Sequence, residues 1–293
     1  MDYTLFIGDR RYSSWSLRGW LLFDAFGIPC GIRYAQMKTD DFEAMKAEMA
    51  PSRLVPAMKL ADDTVVWDSL AMAETLHERH PDAGIWPEEA SQRAMARSLC
   101  AQMHSGFTAL RGACPMNLGR AYTGFDADES VLADVSAVTE LWAMARATSG
   151  DGPFLFGAFT AADAFFAPVA SRITTYDLPV RDVDAAYIKA VLGHPSVRRW
   201  YAMSVAKPEH QAHYEFDHAD RPNPMAPKLT GTVVSGPASA AENANCPYSG
   251  KAVADDCVVE ISNRMIGYCN PFCAAKSAAD PYAWPQTVAL LEG

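Results

Sequence analysis

The sequence predicts a mixed α/β domain, then an all-helical domain, then a small cysteine-rich module. Three observations carry this. Short apolar strands alternate with helical segments up to about residue 80; beyond Pro87 the strand signals give way to apolar spacings of three and four; and four of the seven cysteines fall in the last 48 of 293 residues. With 49% hydrophobic residues the chain can bury a substantial core and make two domains. A formal charge of -10 argues against a protein whose main task is gripping nucleic acid or an anionic membrane. No window approaches eighteen uninterrupted apolar residues, and the N-terminus lacks an apolar stretch behind a basic start, so cytoplasmic residence is the expectation.

Taken in order, residues 3–8 read as a strand, 17–26 as a helix ending at Gly27, 31–37 as a strand and 41–49 as a polar helix opened by an acidic pair. Residues 57–60 and 64–67 form a hairpin around the turn-forming Asp62-Asp63, and 69–80 a closing helix. The order βαβα followed by ββα is thioredoxin-like. Next, Met95, Leu99, Met103, Phe107 and Leu110 give one apolar stripe, and Val131, Val135, Val138, Leu141 and Trp142 a second. Thr160 followed three residues later by Asp163 reads as a capping box that fixes where a helix begins, a folding role without chemistry. A last helix spans 196–205. Five prolines and many small polar residues between 207 and 245 then read as a linker. The expected division is therefore 1–80, 88–205, a linker over 206–245, and a cysteine-rich module over 246–293.

Three stations in the first eighty residues carry candidate chemistry. Ser13, Ser14, Trp15, Ser16 and Arg18 stand between the first strand and the first helix, where hydroxyls meet unpaired backbone N–H groups and can hold an anion or a thiolate. Val55-Pro56 precedes a strand, a position compatible with a cis bond that presents Val55's backbone to an extended peptide, although trans is the commoner isomer. Asp68-Ser69 offers a carboxylate and a hydroxyl at a helix start, suited to an ammonium and a carboxylate and equally good as a cap.

Together these stations resemble the glutathione-binding domain of the glutathione S-transferases, most closely the serine-type zeta (maleylacetoacetate isomerase) branch. The resemblance covers residues 3 to about 81, with Ser13-Ser14-Trp15-Ser16 set against the pattern Ser-Ser-Cys-Ser-x-Arg. It implies the glutathione transferase fold, glutathione as cofactor, a small electrophilic substrate and a homodimer. By it Ser13 holds the thiolate, with Ser14 as second candidate. Trp15 lies in the same loop, Val55 and Pro56 meet the cysteinyl part, Asp68 and Ser69 the γ-glutamyl group, and Arg53 the glycyl carboxylate. Trp15 departs from the zeta cysteine, which weakens transfer of the isomerase activity and disfavours a thiol-disulfide oxidoreductase. His104, Ser105 and Arg111 fall on the helix that borders the second-substrate pocket, where His104 reads first as a packed or surface residue.

The chemistry demands little. A free thiol with a pKa near 8.5 is only a few per cent ionised at neutral pH, and lowering that value by about two units takes roughly 2.7 kcal/mol. One hydrogen bond to a charged acceptor supplies about 1.5 to 3 kcal/mol, so a single well-placed hydroxyl suffices. Serine is nonetheless a common helix cap, and Ser13 and Ser14 read that way too.

In the tail, Cys246-Pro-Tyr-Ser249 looks like a zinc-knuckle turn whose second cysteine has become serine, and Cys269 and Cys273 add two thiols four apart. Zinc held by Cys246, Cys269 and Cys273, with Cys257 or Asp280 as a fourth ligand, stands against a set of inert buried thiols. The piece distantly resembles treble-clef-like YHS modules. His210, His213 and His218 are expected in solvent. Glutathione conjugation is the leading function, with maleylacetoacetate-type isomerisation and a non-catalytic scaffold as alternatives.

Overall fold

Strand β1 (Tyr3–Ile7) is apolar at nearly every position, as a strand covered on both faces must be, and it pairs in parallel with β2 (Gly31–Tyr34) and antiparallel with β3 (Ala57–Leu60). A hairpin then adds β4 (Val65–Trp67), giving the order β2-β1-β3-β4. Between them lie α1 (Ser14–Asp24) and α2 (Asp40–Glu48), and α3 (Ser69–Arg79) follows β4. Asp63 takes the positive φ that the tight hairpin turn requires, at 64°. The coordinates are a computed structural model that describes residues 2–293. They bear out the thioredoxin-like order.

Helices α4 (Ala90–Ser105), α5 (Thr108–Ala113), α6 (Glu129–Thr148), α7 (Ala161–Tyr176) and α8 (Asp182–Gly193) make the helical domain. Of these, α7 is buried on every side, which makes it the central helix, and α1, α4 and α8 pack on it. Its start is fixed by the capping box at Thr160 and Asp163, both arms of which are present. Asp163 is fully buried and accepts from Thr160 N at 2.8 Å and from Leu155 N and the Tyr187 hydroxyl at 3.1 Å each. Burial pushes its pKa up to about 6.

Two compact units emerge: residues 2–194 with 210–224, and residues 195–209 with 225–293. This departs from the expected division in two places. Helix α9 (Pro195–Ala206), expected to close the helical domain, packs on α10 (Pro271–Ala279) and so falls in the second unit. The stretch expected as a linker is built into both units. Residues 210–224 lie in the first, where Phe216 and His218 join a ring cluster with Tyr122, Phe125 and Tyr176, and Arg120 bonds Glu215 and Asp220. Prolines and small polar residues concealed the contribution of Phe216 and His218, both half-buried, so His218 lies against this cluster rather than in solvent.

The second unit contains a three-stranded antiparallel sheet, β5 (Thr232–Val234), β6 (Val258–Ile261) and β7 (Arg264–Gly267), with α9, α10 and α11 (Pro285–Glu292). β5 comes from the supposed linker. The β6–β7 turn uses Ser262 and Asn263, both at positive φ, as two-residue hairpins require. Among the described residues no helix is long and apolar enough to cross a membrane.

Candidate active site

A cavity of about 650 Å³ opens in the first unit. Its lining includes five of the residues the sequence singled out around the first helix and hairpin, Ser13, Ser14, Trp15, Val55 and Pro56, together with Asp68 and Ser69. What brings them together is close backbone approach. The Val55-Pro56 bond is cis, and Pro56 lies against α1 at Gly19, where a Cβ would come within 2.6 Å of the proline ring.

The two serines differ in what they are free to do. Ser13 is the N-cap of α1: its Oγ accepts from Ser16 N at 3.2 Å and donates to Ser16 Oγ at 2.8 Å. Ser14 Oγ instead accepts from Arg172 Nη2 at 3.4 Å, which leaves its proton to donate. Arg172 is buried, and its other bonds go to the carbonyls of Cys114 and Pro168 at 2.9 and 3.2 Å. Burial, then the neighbouring Arg111, lowers its pKa to about 10, so it stays cationic at neutral pH.

Behind Trp15 the positive charge continues. The guanidinium of Arg18 lies 4.3 Å and that of Arg111 5.2 Å from the Trp15 ring centre. Arg18 is wholly buried with no hydrogen bond to any of its three side-chain nitrogens, and burial followed by Arg172 and Arg111 lowers its pKa to about 9. Tyr12 also lines the cavity, but its hydroxyl donates to Glu215, and burial together with that bond pushes its pKa up to about 12. A phenol so held is a poor proton donor to a thiolate.

On the same cavity wall Asp68 caps α3 through Leu70 N at 2.8 Å, while its second oxygen meets His104 Nε2 at 3.1 Å. Its φ of 73° with ψ of 126° is costly for a non-glycine residue, about 1 to 3 kcal/mol, and such strain concentrates at functional sites. Ser69 Oγ is buried without a partner yet belongs to a residue on the cavity wall. His104 is thus brought to the site through Asp68 and an edge contact with Trp15.

Arg53 is the exception. It is exposed and does not line the cavity; Lys38 and Lys46 stand on the wall instead. Sequence reasoning also missed Arg172, Gln211, His213 and Tyr214. A lone arginine inside the apolar run of α7 was a readable signal for the first. The last three come from the supposed linker, where Gln211 Nε2 donates to Asp9 Oδ2 at 2.8 Å and holds the strap in place.

In the second unit the Sγ atoms of Cys246, Cys269 and Cys273 all lie within 4.8 Å of one another. Neither suggested fourth ligand joins them. Cys257 is outside the cluster, and both oxygens of Asp280 are taken by Arg198, at 2.6 and 2.9 Å.

A thioredoxin-like sheet with a cis-proline loop, a hydroxyl-bearing helix start and a helical partner domain defines a class, and sequence comparison agrees with it. The family model "Glutathione S-transferase, N-terminal domain" matches residues 12–79, and "Glutathione S-transferase, C-terminal domain" matches residues 94–202. The chain belongs to the glutathione S-transferase family. A curated relative, maleylacetoacetate isomerase of Dictyostelium discoideum, is 27% identical over 95 residues, a match spanning 32% of this chain and 41% of that protein. Among solved structures, a glutathione transferase homologue from Burkholderia with bound glutathione is similar at TM-score 0.53 and 23% identity, over 70% of this chain and 98% of its own. A glutathione S-transferase from Rhodospirillum rubrum gives 0.54 and 21%, over 72% and 97%. At these identities the structural likeness speaks to the fold.

Proposed function

We propose that the protein is a glutathione transferase that binds the tripeptide in the cavity of the first unit and presents its thiolate to a small electrophile. The observation that carries this is a pair of buried hydroxyls lining one cavity, Ser14 beside the Arg172 cation and Ser69 without a partner beside Asp68. Ser14 donates to the sulfur, Ser13 caps the helix and stands as second candidate, and Asp68 and Ser69 take the ammonium and carboxylate of the γ-glutamyl group. Val55 pairs with the cysteinyl backbone and Lys38 and Lys46 attract the glycyl carboxylate. The thiol proton leaves to solvent, the thiolate forms a C–S bond, and the leaving group departs with its electron pair. Retention on immobilised glutathione, followed by conjugation assays, tests this; failure to be retained favours the scaffold alternative. A cytoplasmic homodimer is part of the proposal, with light scattering as its check.

Zeta-type isomerisation is the second reading. It is favoured by the match to a maleylacetoacetate isomerase and by Arg111 and Arg172 on the cavity wall, which suit a substrate bearing carboxylates. There the thiolate adds to a double bond and is expelled after rotation, so glutathione is not consumed. Measuring glutathione consumption during turnover separates the two.

For the second unit the proposal is a zinc ion held by Cys246, Cys269 and Cys273, supported by the convergence of their sulfurs.

A further inference from the structure

The second unit offers three sulfurs to a metal and no fourth protein ligand of comparable reach. Three thiolates on one zinc at about 2.3 Å in tetrahedral array stand about 3.8 Å apart, so the observed spacing needs to contract by at most about 1 Å. Cys246 sits in a turn closed by Gly250 N donating to its carbonyl at 2.9 Å and by its own N–H donating to Lys251 O at 2.8 Å. Cys273 sits in the first turn of α10, whose cap is Asn270. Both backbones are therefore fixed before any ion arrives.

The surrounding donors are arranged for thiolates. Asn270 caps the helix through its Oδ1, which accepts from Cys273 N at 2.9 Å, and its Nδ2 donates to the sulfurs of Cys269 and Cys273 at 3.2 and 3.3 Å. Such bonds orient ligands and stabilise their charged form. Ser249 occupies the turn position from which a knuckle would supply its second cysteine, and its hydroxyl donates to Cys269 Sγ at 3.2 Å. Cys246 is buried, but Cys269 and Cys273 are half-exposed and Ser249 is exposed, so the side of the cluster away from Cys246 meets solvent.

We infer that this is an open zinc site, three thiolates with a solvent-facing fourth position beside Ser249, and that a small external thiol binds there as thiolate. The inference rests on the metal reading of the second unit. Structural zinc sites are closed by four protein ligands, whereas three protein ligands leave one position for water or an incoming group. An all-sulfur donor set favours a soft fourth ligand. Binding forms one Zn–S bond, displaces the water in that position and releases the thiol proton to solvent. The positive end of α10, in whose first turn Cys273 sits, offsets the added negative charge.

The test uses the full chain loaded with Co²⁺ in place of zinc and reads thiolate-to-metal charge-transfer absorption, with 2-mercaptoethanol as the probe. One metal per chain is expected, and the probe raises the band by about one third as three Co–S bonds become four. Ser249→Cys starts at the higher intensity, holds the metal at least tenfold more tightly and ignores the probe. Failure to bind any metal overturns the metal reading and this inference with it. A metal bound at full stoichiometry whose band does not respond to the probe, and which Ser249→Cys leaves unchanged, overturns the open position alone.

Discussion

Replacing Ser14 by alanine removes one hydroxyl and asks whether that hydroxyl steadies the sulfur anion. Its proton is uncommitted, because its structural neighbour Arg172 Nη2 donates to its oxygen from 3.4 Å. A hydrogen bond to a charged acceptor contributes about 1.5 to 3 kcal/mol, and each pKa unit corresponds to about 1.4 kcal/mol. The variant should therefore raise the pKa of bound glutathione by about 1 to 2 units and lower kcat/KM at neutral pH by about 10- to 100-fold. Glutathione affinity should change less than threefold, since Val55, Asp68 and Ser69 are untouched. Ser13→Ala supplies the contrast. Its oxygen caps α1 through Ser16 N, so its loss costs about 1 kcal/mol of stability and a few degrees of Tm, with a much smaller effect on rate. Steady-state kinetics and thermal melts on both variants decide. An unchanged rate in Ser14→Ala together with a collapsed rate in Ser13→Ala refutes the assignment.

Gly19→Ala drives a methyl into the Pro56 ring and should lower stability by about 1 to 3 kcal/mol with a loss of glutathione affinity, read by melting and by calorimetric titration. Arg18→Met replaces a buried cation without hydrogen bonds by an apolar chain, so stability should hold or rise by about 1 to 3 kcal/mol in denaturant titrations. Asp163 has a folded pKa near 6 against an ordinary 3.8, so the fold holds an extra proton in that window; the associated stability is present below 3.8 and lost as pH rises through 6. Asp163→Asn is destabilised by the unpaired Thr160 N–H, but the gap to wild type should narrow by about 1 kcal/mol from pH 5 to pH 7.

The first domain and the start of α7 were legible because strand patterns, caps and punctuation act locally: the βαβα-ββα order and the Thr160–Asp163 box follow from short-range rules. Val55-Pro56 and Asp68-Ser69 came from resemblance, yet each is ordinary alone. What stayed hidden depends on contacts distant in sequence. Gly19 reads as a poor helix residue until Pro56 is seen against it. Arg172 becomes a site residue only when α7 meets α1, and Gln211, His213 and Tyr214 only when a proline-rich stretch turns out to bury aromatic rings beside them. Strand β5 escaped for a related reason, since Thr232–Val234 is too short to show alternation and gains its pairing from β6.

The central claim is a stabilised thiolate in the first unit, and its most direct measure is the ultraviolet titration of glutathione bound to the wild-type protein. The account predicts thiolate absorption appearing about 1 to 2 pH units below that of the free tripeptide. Saturable binding with a thiol that ionises at its free value contradicts it.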